Sequence, residues 1–258
     1  MNNLFKTDMK KMLTDKLVII SMCIVVGFAL LMPFLLYAMD VINKEYSQAP
    51  YVPIPVRSYT MSLSFNLITN VGIVVTILIT IMIGKEFTNG NIRNKIIVGN
   101  RRKNIFLSLF LSHFIILVSL MIISTIIMTL LSIAFLPYDT SGAATGELIL
   151  DFFLSLVLGI LLISIYVAMG AFFTVALNKT ALGIVVPIIL SVFLFLLSSF
   201  LVNVPDTVKY LNFVQSLSSL NASHMTMAEF AIKCIPAFIL TPTFLVSGMA
   251  IFDRIDVK

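Results

Sequence analysis

The chain has 258 residues, of which 59% are hydrophobic and 11% charged, with a net charge of +5; its mean hydropathy is +1.07. Soluble domains are about half apolar and about a quarter charged, so a soluble core of this size is excluded and a bilayer must act as solvent. The apolar stretches are continuous rather than alternating over roughly ten residues, which excludes a transmembrane barrel and leaves helices as the spanning structure.

In chain order, Phe5, Met9, Met12 and Leu13 follow i, i+4, i+7, i+8 spacing, while Lys6, Lys10, Lys11 and Asp15 fall elsewhere. This predicts an amphipathic helix within 1–16, lying at the membrane interface. A crossing needs about 20 apolar residues, and six stretches qualify: 17–39, 61–84, 105–136, 148–177, 181–202 and 230–252. The first is too long for a signal-peptide core and no small-residue cleavage site follows, so it is expected to remain as a span. The third and fourth exceed one crossing, which predicts tilt or extension beyond the bilayer. Pro33, Pro187, Pro236 and Pro242 fall inside spans and are expected to kink them. The whole chain reads as a single transmembrane domain, 1–258, without internal repeats.

Orientation follows from Lys and Arg in the short loops. With the N-terminus inside, Lys6, Lys10, Lys11, Lys16, the six cations from Lys85 to Lys103, Lys179, Arg254 and Lys258 are cytoplasmic, 13 of the 17 basic residues. Lys44, Arg57, Lys209 and Lys233 remain outside. Both termini are therefore expected in the cytoplasm, and the excess charge points to a membrane rather than to nucleic acid. Of the outer connections, Asp40–Thr60 carries Pro50, Pro53 and Pro55 and reads as an extended loop. Pro137–Glu147 is short. In 203–229, Val208, Leu211, Val214, Leu217 and Leu220 recur at near-helical spacing, which predicts a short amphipathic helix on the outer surface.

Few polar groups lie within the spans. Asp151 and His113 sit near opposite ends of their spans, and Glu229 and Lys233 flank the outer end of the sixth. The pattern fits interfacial or packing roles rather than a proton relay, which would want several such groups at the midplane. Two distant histidines make no zinc site, and one intramembrane aspartate cannot supply the pair of an intramembrane protease. Cys23 and Cys234 read as small hydrophobes. Asn66, Thr69 and Asn70 in the second span must find partners in lipid and are candidates for a translocation path or subunit interface.

The most informative segment is the inner loop 85–104. Ile92 and Ile96 sit four apart with Ile97 beside them, Arg93 and Lys95 lie off that stripe, and Gly90 and Gly99 bracket the piece. This spacing predicts a short amphipathic helix suited to docking in another protein's groove; by charge alone the loop could equally be one whose cations only set topology. The acidic Glu86 closing the second span, Gly90 four residues on, the basic Arg93, and then Gly99 followed by Arg102 resemble the corresponding loop of type-2 ATP-binding-cassette transporter permeases. The Asn89-Gly90-Asn91 sequence departs from the Gly-Thr pair more usual there. Six spans, cytoplasmic termini, the N-terminal helix and a long last outer loop agree with that family in architecture.

The resemblance implies that 86–99 forms a coupling helix entering a cleft on a separate ATPase subunit, with Glu86, Phe87, Gly90, Ile92, Arg93, Ile96, Gly99 and Arg102 as coupling residues. It also implies a second permease subunit, identical or related, in the cytoplasmic membrane of a bacterium. The cargo it implies is an amphipathic peptide, antibiotic or similar compound, with a glycan or lipid-linked cargo as the alternative within the class. No Gly-x-x-x-x-Gly-Lys-Ser/Thr phosphate loop occurs, since Gly84-Lys85 is followed by Glu86. The chain is thus expected to be no enzyme and to hold no cofactor, with ATP and Mg on the partner. From a different class, a non-transporting assembly factor or sensor would share the topology without an ATPase.

Overall fold

The computed structural model describes residues 2–46, 77, 79–135, 145–177, 179–200, 205–218 and 226–255, and among these every regular element is helical. In chain order they are α1 (Asn2–Leu13), α2 (Lys16–Tyr46), α3 (79–88), α4 (Asn91–Ile97), α5 (Arg102–Phe135), α6 (Thr145–Leu177), α7 (Thr180–Phe200), α8 (Asp206–Lys209), α9 (Phe213–Ser218) and α10 (Met227–Arg254). Among the described residues, four stretches are long and apolar enough to cross a bilayer: Lys16–Met39, Arg102–Phe135, Phe152–Leu177 and Met227–Arg254. The chain is a helical membrane protein. The second expected span, 61–84, lies largely outside the described residues; its described end is helical and continues to residue 88.

The bundle is organised around α6. Over Phe152–Leu177, 61% of the most apolar window is buried inside the protein, against 22–33% for the other three spans, so α6 is wrapped by neighbours while they show lipid-facing sides. It packs against α10, α7 and α5. Between helices in lipid, close packing and buried polar contacts replace the hydrophobic drive, and both are present. Ser164 on α6 and Thr241 on α10 share a hydrogen bond at 2.8 Å. A Cβ on Gly248 would lie 2.4 Å from Phe106 Cζ, and one on Gly183 would lie 2.9 Å from Thr174 Cα and from Thr80 Cγ2; these glycines let α10 meet α5, and α7 meet α6 and α3.

The helices run on through Pro33, Pro187, Pro236 and Pro242. Proline lacks an N–H and so frees the carbonyl four residues earlier. For Pro187 that carbonyl is Gly183 O, and Thr80 Oγ1 of α3 donates to it at 3.3 Å, so the proline creates an interhelical bond.

Several expected boundaries move. The N-terminal helix stops at Leu13, where Thr14 Oγ1 bonds the Lys11 carbonyl at 2.9 Å. Asp15 then caps α2 by accepting from the Leu17 N–H at 2.8 Å. The first span, Lys16–Met39, matches the expected one, but its helix does not stop there: α2 continues to Tyr46 through the start of the expected extended loop. Among the described residues of 203–229, the expected amphipathic helix is replaced by the short helices α8 and α9, broken because Asn212 Oδ1 accepts from the Val214 N–H at 3.1 Å while its amide donates to Leu194 O of α7 at 2.7 Å. This draws Phe213 and Val214 into the bundle, with Phe213 edge-on to Tyr166 at 5.3 Å, instead of leaving them on the surface. Finally, α10 begins at Met227 under a capping box in which Thr226 and Glu229 satisfy each other's backbone N–H groups.

Phe106 is fully buried beside Phe252 and has no room to give way. Gly248→Ala is therefore expected to destabilise the protein by about 1–3 kcal/mol. Gly27→Ala, whose Cβ would meet nothing within 4 Å, should not lower the unfolding temperature in detergent, because alanine is the better helix former.

Candidate functional site

The loop between α3 and α5 is built by two left-handed turns. At the first, Thr88 Oγ1 bonds the Gly84 carbonyl at 3.2 Å, Gly90 N–H closes on Phe87 O at 3.1 Å, and Gly90 takes φ 67°. At the second, Gly99 has φ 90°, its N–H bonds Ile96 O at 2.9 Å, and Asn100 N–H bonds Lys95 O at 3.2 Å. This paired pattern is a Schellman stop. A side chain at either glycine would meet open space, so the left-handed backbone conformation, and not crowding, is what favours glycine. Between them α4 is seven residues long. The expected continuous helix over 86–99 is thus the last turn of α3, a turn, α4 and a second turn, with Glu86 and Phe87 belonging to α3.

The orientation of α4 reverses the expected assignment of its faces. Ile92, expected to meet a partner, is wholly buried in the core, and Ile96 packs against that core. The apolar residues facing outward are Ile97 and Val98, 71% and 80% exposed, beside the exposed Arg93 and Asn94. Phe87 packs inward as well, edge-on to Phe252 at 6.0 Å.

Charged groups lock this arrangement. Lys95 of α4 lies 2.7 Å from Asp8 Oδ1 of α1 and 3.3 Å from Glu86 Oε2 of α3. Glu86 Oε1 pairs with Lys11, and Asp8 Oδ2 accepts from Ser108 Oγ of α5 at 2.7 Å. Lys85 and Asp15 approach at 3.6 Å across the end of α1. One cluster therefore joins α1, α3, α4 and α5. Arg102, expected to couple to a partner, has an internal role: its guanidinium donates to the Phe252, Asp253 and Ile255 carbonyls at the end of α10, where terminal carbonyls lack helical partners. Lys103 and Asp253, 3.5 Å apart and well exposed, contribute little.

Of the expected coupling residues, the structure brings Glu86, Phe87, Ile92 and Ile96 into the anchorage, places Gly90 and Gly99 at the turns, uses Arg102 as a cap and leaves Arg93 outward. Sequence reasoning missed Asp8, Lys95, Ile97 and Val98. One signal existed: Asp8 is the one acid of Asn2–Leu13 and lies on the same helical side as Phe5 and Met12. Leu13, assigned to the apolar face of that segment, is 62% exposed. The path candidates Asn66, Thr69 and Asn70 lie outside the described residues, as does the Asp151 side chain. Lys233 is buried, with its ammonium 4.5 Å from the centre of the Tyr210 ring. Among the described residues no group of three or more His, Cys, Asp or Glu side chains is placed to hold a metal. Compared with known proteins, the chain matches no family model, and no curated protein matches it.

The Asp8–Lys95 pair can be tested by itself. A double-mutant cycle of Asp8→Asn and Lys95→Gln, read by thermal unfolding, is expected to give a coupling of about 0.5–3 kcal/mol. Additive effects would mean that the two groups do not stabilise one another.

Proposed function

We propose that this chain is the membrane-spanning permease subunit of an ATP-driven exporter of the type-2 ATP-binding-cassette kind. The observation that carries the reading is α4: a short helix held rigidly by its inner face and ion pairs, presenting Arg93, Ile97 and Val98 outward at the basic end of the bundle. A surface combining exposed aliphatics with an arginine suits burial against another protein. In this reading the chain crosses the cell membrane of a bacterium six times with both termini and α4 in the cytoplasm. A separate ATPase subunit binds ATP and Mg and receives α4 in a cleft. A second permease subunit completes the path for an amphipathic peptide, antibiotic or similar compound.

The contacts supply a route for movement. A displacement of α4 is carried to α3 through Glu86 and the Gly90 turn, to α1 through Asp8, and to the core through Ile92. Phe87 against Phe252, and Arg102 against the end of α10, pass it to the last span. The coupling residues inferred from sequence thus divide into transmitters (Glu86, Phe87, Ile92, Ile96, Arg102), the two turn glycines Gly90 and Gly99, and one contact residue, Arg93, joined by Ile97 and Val98.

The test is purification through a tag on this chain, followed by ATP hydrolysis. The wild type is expected to bring an ATPase subunit with it. Arg93→Glu combined with Ile97→Asp should cut the retained ATPase at least tenfold, the scale of losing an interface anchor, with thermal unfolding unchanged. Ile92→Asp, which buries a charge, should instead unfold the protein. Absence of any co-purifying ATPase from the wild type would overturn the transporter reading in favour of an assembly or sensor protein.

A further inference from the structure

One side of α1 is held by α3, α4 and α5, and the other side is open. Inward, Lys11 pairs with Glu86, Asp8 meets Lys95 and Ser108, and Met12 is buried with Val18, Ile116 and Leu120. Outward, Lys6, Lys10 and Leu13 are exposed at i, i+4 and i+7, the spacing of a single helical face. The half-buried Phe5 and Met9 run along one edge of it. The apolar face expected from sequence is therefore parted: Met12 serves the protein core, and Leu13 stands among lysines.

The charge on this outward face is unmatched. Lys11 has Glu86, Lys85 has Asp15, Lys95 has Asp8 and Glu86, and Lys103 has Asp253. Lys6, Lys10 and Lys16 are all exposed and form no ion pair among the described residues. The nearest acids in sequence, Asp8 and Asp15, are engaged by internal partners, so the face carries positive charge alone.

Position decides what can match it. Only Thr14 and Asp15 separate α1 from α2, so Leu13 stands within about 11 Å of Lys16 by chain reach. Lys16 is where the first span begins, and the opening turns of that span expose Ile19 and Ile20, a surface that lipid covers. Lysine stems lie along apolar surface while their ammonium groups stay at the polar boundary. Leu13 beside Lys6 and Lys10 thus fits the depth at which acyl chains meet head groups.

We propose that this face of α1 binds anionic phospholipid, with Lys6 and Lys10 on the head-group phosphates, Lys16 beside them and Leu13 against the upper acyl chain. A zwitterionic head group brings its own cation and leaves the lysines unmatched, so the lipid must carry net negative charge. An acidic protein could match the lysines, but it would have to displace lipid from Leu13 and the start of α2. The inference does not rest on an ATPase partner.

The chain contains no tryptophan, so Leu13→Trp places a single fluorophore on this face. Full-length Leu13→Trp protein would be reconstituted in nanodiscs of phosphatidylcholine with a minority of phosphatidylglycerol, one lipid or the other being brominated on its acyl chains near the head group. The ratio of the two quenching efficiencies, corrected for composition, gives the local preference for the anionic lipid. A preference of about fivefold or more is expected, the scale of one lysine near an anionic surface. Lys6→Gln/Lys10→Gln should bring it close to one, Lys6→Arg/Lys10→Arg should keep it, and raised salt should lower it by screening. Ile189→Trp, exposed on α7, a helix without charged residues, should show none. Equal quenching by the two lipids in the Leu13→Trp protein would overturn the proposal. So would a preference that survives Lys6→Gln/Lys10→Gln or raised salt, or one equally strong with Ile189→Trp. Absence of quenching by either lipid would also overturn it and give the face to a protein partner. Should Lys6→Gln/Lys10→Gln fail to fold, the salt dependence with both lysines in place decides the matter.

Discussion

Lys95 is the interaction on which the basic end of the protein depends. Its ammonium sits between Asp8 and Glu86, with Lys11 matching the second carboxylate, so two positive and two negative groups from three helices meet in a largely buried place. The cost of desolvating such groups offsets much of their attraction. The cluster therefore acts mainly on register: Lys95 reaches both carboxylates in only one placement of α4. An isolated seven-residue helix is far below the length at which helices are stable in water. What keeps α4 helical is this clamp, the buried Ile92 and the two glycine turns.

The same end is tied to the spans by groups that a membrane setting makes valuable. Ser108 on α5 completes the shell of Asp8, and Arg102, six residues before it, closes the end of α10. Deeper in the bundle the joints are small: Gly183 and Gly248 at close crossings, Ser164 against Thr241, and Thr80 filling the position left by Pro187. Toward the other end, Asn212 and the Thr226–Glu229 box fold short segments back onto α6, α7 and α10. The central helix is thus gripped along its length, while α2 and α7 leave aliphatic and aromatic side chains such as Phe34 and Phe193 outward, as lipid-facing helices do.

Much of the architecture was legible because hydropathy and helix length are one-dimensional properties: the ends of α5, α6, α7 and α10 lie within three residues of the expected spans. The brackets at Gly90 and Gly99 were legible because a left-handed residue is a local demand. What was not legible depended on direction. In a seven-residue helix the spacing of Ile92 and Ile96 defines a stripe but not which way it points, and Ile97 and Val98 sit only one or two residues further along. Asp8 and Lys95 are 87 positions apart, and nothing local announces their meeting. Arg102 looks like one more inner-loop cation until the end of α10 is placed beside it. The break at Asn212 was missed because a capping side chain can interrupt a hydrophobic repeat without altering it.

The placement of apolar surface gives the proposed docking face its physical basis. An exposed leucine or phenylalanine on α2 or α7 is unremarkable where lipid covers it. Ile97 and Val98 differ: among the described residues they are the most exposed aliphatic side chains, and they lie among Arg93, Asn94, Asn100 and Arg101, side chains that belong in water. Hydrocarbon cannot cover them there without desolvating those neighbours. A protein groove can, because it accepts aliphatic contact at its centre and guanidinium contact at its rim. Its force would enter a helix whose opposite face is fixed to three others. In the transporter reading, this asymmetry of a rigid inner face and a sticky outer one is what lets so small a helix transmit motion instead of bending under it.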